Sequence, residues 1–248
     1  MATIVIGDIH GNLAALQDLI RQLRNEVRPG DTVVFLGDYI DRGPESKACV
    51  EEILTLQHDL PSEVVCLCGN HEDWLLKTHH DYRHHSWLLG MDGLDTIRSY
   101  SIEAADTLRE AMSTAGLTLY EGQCALPYDL FFDRMPDAHR RFFDSLQSYH
   151  KTPDCVCSHG GLDASVPRIE DQTRGAWLWG AGGFPHRYEG ADAVIYGHWN
   201  NAVLNARGWP SPLIQGRTIG IDTIAHGVLT AIRLPDQRVF QSARHELG

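Results

Sequence analysis

Residues 3–12 read TIVIGDIHGN, residues 32–43 read TVVFLGDYIDRG and residues 63–73 read EVVCLCGNHED. Each is a β-branched apolar run that stops at a glycine, followed at once by side chains that carry charge or bind metal. Between the first two, Leu13, Leu16, Ile20, Leu23 and Val27 recur at helical spacing until Pro29-Gly30-Asp31 breaks the pattern. Between the second and third, Glu45–Gln57 reads as a helix with Cys49, Ile53 and Leu56 on its inner face. Strand, helix, strand, helix, strand predicts an α/β fold with helices packed against a sheet.

Beyond residue 73 the pattern changes. Residues 78–150 are polar and helical in character, with helices predicted over Thr107–Ala115 and Ala138–His150 and breaks at Pro127 and Pro136. This stretch reads as a helical cap inserted within one domain that spans residues 1–248. Strands are predicted again over Cys155–Ser158, Ala193–Tyr196, Ala202–Asn205, Arg217–Asp222, Val228–Leu234 and Val239–Gln241. The turn-length gaps between the late strands imply antiparallel pairing.

The charge balance narrows the partners. With 21 Lys+Arg against 33 Asp+Glu, the formal charge is −12, so no basic footprint for nucleic acid or an anionic membrane is expected. No run of about 18 apolar residues and no basic leader stands out, which predicts a cytoplasmic protein without a membrane partner. Cys66/Cys68 and Cys155/Cys157 alternate within apolar runs and read as small buried hydrophobes in a reducing compartment.

The polar residues at the strand ends carry the chemistry. The first three runs supply Asp8 and His10; Asp38, Asp41 and Arg42; and Asn70 and His71. Two further runs, DCVCSHGG (154–161) and AVIYGHW (193–199), supply His159 and His198. Ligands of open α/β sheets bind beyond the carboxyl ends of strands, so these five loops should converge. Carboxylate, imidazole and amide without thiolate suit first-row divalent ions better than calcium. Asp8, His10, Asp38, Asn70, His159 and His198 suffice for two ions if one carboxylate bridges.

In this order the motifs GDIHG, GDYIDRG, GNHE, SHGG and GHW resemble the phosphoprotein phosphatase family of binuclear metallophosphoesterases, particularly its compact bacterial and phage-type members. The resemblance implies a central β-sandwich of mixed sheets flanked by helices. It implies that Asp8 and His10 hold one metal, that Asp38 bridges, and that Asn70, His159 and His198 hold the other. It implies His71 as general acid, Asp41 as the carboxylate that orients it, and Arg42 as the grip on the substrate phosphate. Two divalent ions are implied as cofactors, manganese first, with iron or zinc as alternatives.

Relatives place a second phosphate-binding arginine just after a Trp between the last two motifs. In GAWLWGAGGFPHRY (175–188) none stands near Ala181, so Arg187 is the candidate, with Arg174 behind it. The activity implied is hydrolysis of phosphate monoesters by metal-activated water, foremost in phosphoproteins at serine, threonine or tyrosine. A small phosphoester is the other partner class. The alternative is a symmetric dinucleoside-tetraphosphate hydrolase. A non-catalytic metal-binding regulatory module is the alternative of another class, and it would need neither His71 nor Arg42.

The remaining histidines and aromatics carry less. His79, His80, His84 and His85 read as a solvated cluster, and His226 as a loop cap, with a place at the site mouth as the alternative. Trp87, Trp177, Trp179 and Trp199 are candidates for a substrate groove or for packing lids.

Overall fold

Alternation along the first strands sends side chains to two different cores. The structure, a computed structural model, describes residues 1–122 and 124–246. In β1 (Thr3–Ile6) Ile4 and Ile6 face one hydrophobic cluster and Val5 another; in β2 (Thr32–Phe35) Val33 and Phe35 divide from Val34 in the same way. β1, β2 and β3 (Glu63–Cys66) run parallel, joined by α1 (Leu13–Leu23) and α2 (Ser46–Asp59). The Asn12 side chain caps α1 by accepting the Ala15 N–H at 3.0 Å. α3 (Asn70–His80) then starts directly after the third strand.

The middle of the chain is helical: α4 (Ser86–Gly90), α5 (Gly93–Tyr100), α6 (Ile102–Ala115), α7 (Asp129–Phe132) and α8 (Asp137–Asp144). Their buried residues, among them Trp87, Ile97, Leu108, Phe131, Phe132 and Phe142, belong to the same cluster as Ile4, Phe35 and Leu16. The helix expected over Ala138–His150 ends at Asp144, and Tyr149–Lys151 forms strand β4. The apolar spacing that suggests a longer helix passes from Phe142 and Phe143 into a segment paired antiparallel with β5 (Val156–Ser158).

After α9 (Arg174–Trp179) come β6 (Val194–Tyr196), β7 (Ala202–Leu204), β8 (Pro210–Gln215), β9 (Thr218–Gly220), β10 (Thr230–Leu234) and β11 (Arg238–Gln241). They complete two mixed sheets of orders β11-β10-β1-β2-β3 and β4-β5-β6-β9-β8-β7. Of the successive late strands expected to pair antiparallel, β10 and β11 do so; β7 and β9 each pair antiparallel with β8 instead of with each other, and β5–β6 and β6–β9 are parallel. β8 has no counterpart in the sequence reading, and it carries Pro210 and Pro212, residues that are uncommon inside strands. Both prolines lie in the half paired with β7, two residues apart, a spacing that places both at sites turning away from the partner strand.

The sheets pack face to face through Val5, Val34, Leu36, Val65, Cys157, Ile195 and Ile219. The outer face of the first sheet is covered by helices, and that of the second by Leu162, Ile169 and Trp177. All six cysteines are free, and all but Cys124 are buried. No described helix is long and apolar enough to cross a membrane. The carboxyl ends of β1, β2, β3, β5 and β6 therefore open on one edge of the sandwich.

Phe35 is fully buried in the helix-covered cluster. Phe35→Ala should lower unfolding stability by about 3–5 kcal/mol, read from the midpoint of a urea titration.

Candidate metal centre

The loops after β1, β2 and β6 turn by left-handed residues. Among the described non-glycine residues with positive φ are His10 (47°), Asp38 (51°), Asp41 (68°), Arg42 (66°) and His198 (69°). L-residues adopt this region at a cost, and such outliers gather where side chains must be aimed. Two glycines permit the close approach. A Cβ on Gly69 would run into the Asp38 carboxylate, and one on Gly197 into that of Asp8.

Glu72, unassigned in the sequence reading, ties two of these loops together. Its carboxylate accepts the N–H groups of Asp38 (2.9 Å), Tyr39 (2.9 Å) and Gly69 (3.0 Å). Burial pushes Glu72 up to about 7, opposed by the donated Asp38 N–H. All three partners donate, so the ionised form is the one they fit. The signal in the sequence is the Glu of GNHE: three residues after Gly69, it reaches back as the acidic member of a capping box.

Asp38 lies at the middle. Its Oδ2 is 3.6 Å from His10 Nε2, 3.8 Å from His71 Nε2 and 3.4 Å from His159 Nε2. Two groups of metal-capable atoms share it, His10–Asp38–His71 and Asp38–His159–His198, with the atoms of each within 4.8 Å of one another. Asn70 joins the second group through Oδ1, 2.8 Å from His159 Nε2. Asp8 lies beside them: its Oδ2 accepts the His198 N–H at 3.0 Å, and its Oδ1 is buried without a hydrogen-bond partner.

The donor count fits cations. His10 Nδ1 is 3.0 Å from the Ile40 carbonyl and His159 Nδ1 is 3.2 Å from that of Leu36. Each carbonyl accepts only from an N–H, so each neutral ring keeps its proton on Nδ1 and turns the Nε2 lone pair inward. At His159 that lone pair meets the Asn70 and Asp38 oxygens with no proton between them. His198 Nε2 is buried without a partner as well. Converging acceptors without donors are what a divalent cation satisfies.

The electrostatics agree. Burial pushes Asp8 well above the carboxylate range, reinforced by Asp222 and then Asp38, and burial brings Asp38 up to about 7. Burial also holds His10 and His159 far below the usual imidazole range, and His198 down to about 4. The rings are thus neutral, the form that coordinates, while crowded carboxylates favour positive charge among them.

His71 Nδ1 is 2.8 Å from Asp41 Oδ2, and Asp41 is itself held from the helical segment. Trp87 Nε1–H donates to Asp41 Oδ2 at 2.9 Å, and the Thr96 hydroxyl donates to Oδ1. The Asp41 N–H donates to Ser46 Oγ and Thr96 Oγ1. Burial raises Asp41 well above the carboxylate range, opposed first by the Thr96 bond and then by that of Trp87. The sequence reading placed Trp87 as a groove or lid residue. The structure buries it on Asp41, where its ring N–H has the acceptor that a buried indole requires.

Arg42 is exposed, with Nη1 2.9 Å from His10 Nε2. Arg174 pairs with Asp73 at 2.9 Å and so does not serve the centre. Arg187 is exposed beside Gly183, and among the described residues it forms no hydrogen bond or ion pair with the other candidate residues. Trp177 is buried, stacked on Tyr149, while Trp179 and Trp199 flank the His198 ring at 4.9 Å and 4.3 Å. Of the histidine cluster, His85 is buried, contrary to the solvated reading, between Tyr128 Oη (3.1 Å) and the Cys124 carbonyl (2.9 Å).

Two mixed sheets flanked by helices, with histidine and aspartate clusters at the strand ends, define an α/β metallophosphoesterase fold. The family model for calcineurin-like phosphoesterases matches residues 1–201, and the chain belongs to that family. It is a metal-dependent hydrolase of phosphoester or phosphoanhydride bonds, with the His/Asp clusters of the binuclear site typical of the family.

Among similar proteins, the asymmetrical bis(5′-nucleosyl)-tetraphosphatase PrpE of Halalkalibacterium halodurans is 27% identical, over 94% of this chain and 89% of its own. The symmetrical bis(5′-nucleosyl)-tetraphosphatase of Pectobacterium carotovorum is 26% identical, over 97% of this chain and 94% of its own. The crystal structure of a putative diadenosine tetraphosphatase superposes with a TM-score of 0.62 at 20% identity, covering 100% of this chain and 95% of that one.

Glu72→Ala should deprive three buried N–H groups of their acceptor and lower stability by about 3 kcal/mol or more, at about 1–3 kcal/mol each. Metal content measured by mass spectrometry should fall with it, because Asp38 loses its backbone anchor. Glu72→Gln, which keeps one acceptor oxygen, should lose less on both measures.

Proposed function

We propose that the chain hydrolyses bis(5′-nucleosyl) tetraphosphates, splitting a phosphoanhydride bond. The observation that carries this reading is length. Two tetraphosphatases align with nearly the whole chain, the helical segment between the motifs included. The motifs that suggest a protein phosphatase sit at the strand ends and serve any phosphoryl group, whereas the match to the tetraphosphatases extends through the helical segment as well. The tetraphosphatase alternative therefore replaces the phosphoprotein reading.

In this proposal Asp8, His10 and Asp38 hold one divalent cation, and Asp38, Asn70, His159 and His198 hold the second. Two such ions supply an activated water and a clamp on the phosphoryl oxygens. His10 Nε2 has one lone pair, so it would serve either a cation or the Arg42 guanidinium, and with a cation held there the Arg42 fork would be free to grip phosphate oxygens. His71 donates from Nε2 to the leaving oxygen while Asp41, fixed by Trp87 and Thr96, holds Nδ1–H.

Incubation of metal-reconstituted protein with diadenosine tetraphosphate should release nucleotides faster than phosphate is released from phosphoserine or phosphothreonine peptides. Chromatography of the products distinguishes two ADP from ATP plus AMP. Preference for the peptides would restore the phosphoprotein reading. Manganese, iron, zinc and magnesium belong in parallel arms.

Asp38→Ala should abolish turnover and lower the content of both metals, because its carboxylate belongs to both groups. His71→Ala should keep both metals and lose about 10²–10⁴-fold in kcat. The loss should be smaller on the anhydride than on an alkyl phosphate, whose leaving oxygen needs the proton more. Metal loss in His71→Ala would make His71 a ligand, which its place beside His10 and Asp38 also allows geometrically.

A further inference from the structure

Beside the metal centre runs an aromatic groove that none of the five motifs contains. Trp74, Leu89, Gly90, Met91, Tyr120 and Trp179 line a space of about 340 Å³. Trp74 lies one turn past Asn70 on α3, and Ser86, Leu89 and Gly90 form the exposed face of α4 by their i, i+3, i+4 spacing. Two walls touch the centre itself. Met91 Sδ is 3.5 Å from Asn70 Nδ2, and the Trp179 ring lies edge-on to His198 at 4.9 Å.

The chemistry of the lining is specific. Three aromatic rings, a thioether and a leucine face the space, and no lining residue carries a carboxylate. Tyr120 is 75% exposed, Leu89 37% and Trp179 36%, a concentration of open apolar surface next to a charged site. A phosphate has no use for such a wall; a flat base joined to a phosphate chain does. The lining comes from helices and turns alone, so it offers no strand edge on which an extended peptide could pair.

We infer that this groove is a nucleobase subsite, in which one base of the substrate stacks while its phosphate chain enters the metal centre. The inference rests on the tetraphosphatase reading for its substrate class, and it assigns Trp74, Tyr120 and Trp179 as the stacking walls. Loss of one stacked ring should weaken base binding roughly tenfold. Gly90 offers a second handle, because a Cβ placed there meets nothing within 4 Å. A larger side chain at 90 would fill the groove without entering the core.

The test uses the full chain with metals bound, in wild type, Tyr120→Ala and Gly90→Leu. Tryptophan fluorescence is titrated with adenosine 5′-monophosphate and, separately, with inorganic phosphate. A saturable wild-type response to the nucleotide that weakens about tenfold in both variants, without a matching change for phosphate, supports the subsite. The ratio of kcat/KM for diadenosine tetraphosphate to that for inorganic tripolyphosphate should fall by a similar factor. No response to the nucleotide, or one that neither variant alters, overturns the inference. So does a loss of affinity confined to a phosphoserine peptide. If wild type leaves diadenosine tetraphosphate intact, the functional reading fails, and the nucleotide titration still decides the groove.

Discussion

The centre depends on one carboxylate that touches no metal-capable group's coordinating atom. Glu72 gathers the backbone N–H groups of Asp38, Tyr39 and Gly69, and by doing so it joins the loops after β2 and β3. The Asp38 carboxylate then receives the His71 N–H at 3.2 Å, so His71 and the central aspartate are placed by the same clip. Charge-assisted bonds to a buried carboxylate are strong, and losing their acceptor leaves buried donors exposed to no water. That asymmetry makes the two loops fold as one piece.

The clip also bears on the strain around it. Left-handed backbone at His10, Asp38, Asp41, Arg42 and His198 is unfavourable for each residue alone, and it persists only where surrounding contacts over-determine it. Those contacts are visible. His10 N–H and Ile9 N–H both donate to the Asp38 carbonyl, Gly11 N–H donates to the Tyr39 carbonyl, and His198 N–H reaches Asp8. Each loop is thus held by the next, which is how five strand ends converge without a connecting strand between them.

Much of the frame was legible in the sequence, because the unbroken apolar runs TIVI and TVVF follow directly from burial of both strand faces. The metal-capable residues were legible for a related reason: a glycine and then a polar group at the end of an apolar strand has few structural explanations. What escaped the reading depends on contacts distant in sequence. Trp87 meets Asp41 across 46 residues and Thr96 meets it across 55. A buried donor to a catalytic-type carboxylate looks like any core tryptophan or helical threonine. His85 is buried because Tyr128 and Cys124 come to it, and the local run THHDYRHH gives no sign of either. The prolines of β8 are tolerated, since the rule against them applies only where the N–H must pair.

The division between legible and hidden residues also separates chemistry from substrate choice. In the proposed function the strand-end residues meet the phosphoryl group, and that group is alike in a phosphoserine and in a tetraphosphate, so the motifs are silent on which is cleaved. Selection has to come from what lies beyond the phosphoryl group. α4 does both jobs from opposite faces: Trp87 points inward to Asp41, while Leu89 and Gly90 border the aromatic groove. One short helix therefore links the Asp41 carboxylate that meets His71 to the wall of the proposed base subsite. A change on its outer face that tilted the helix would move the Trp87 N–H off Asp41, so under the proposed function base binding and proton donation would be linked.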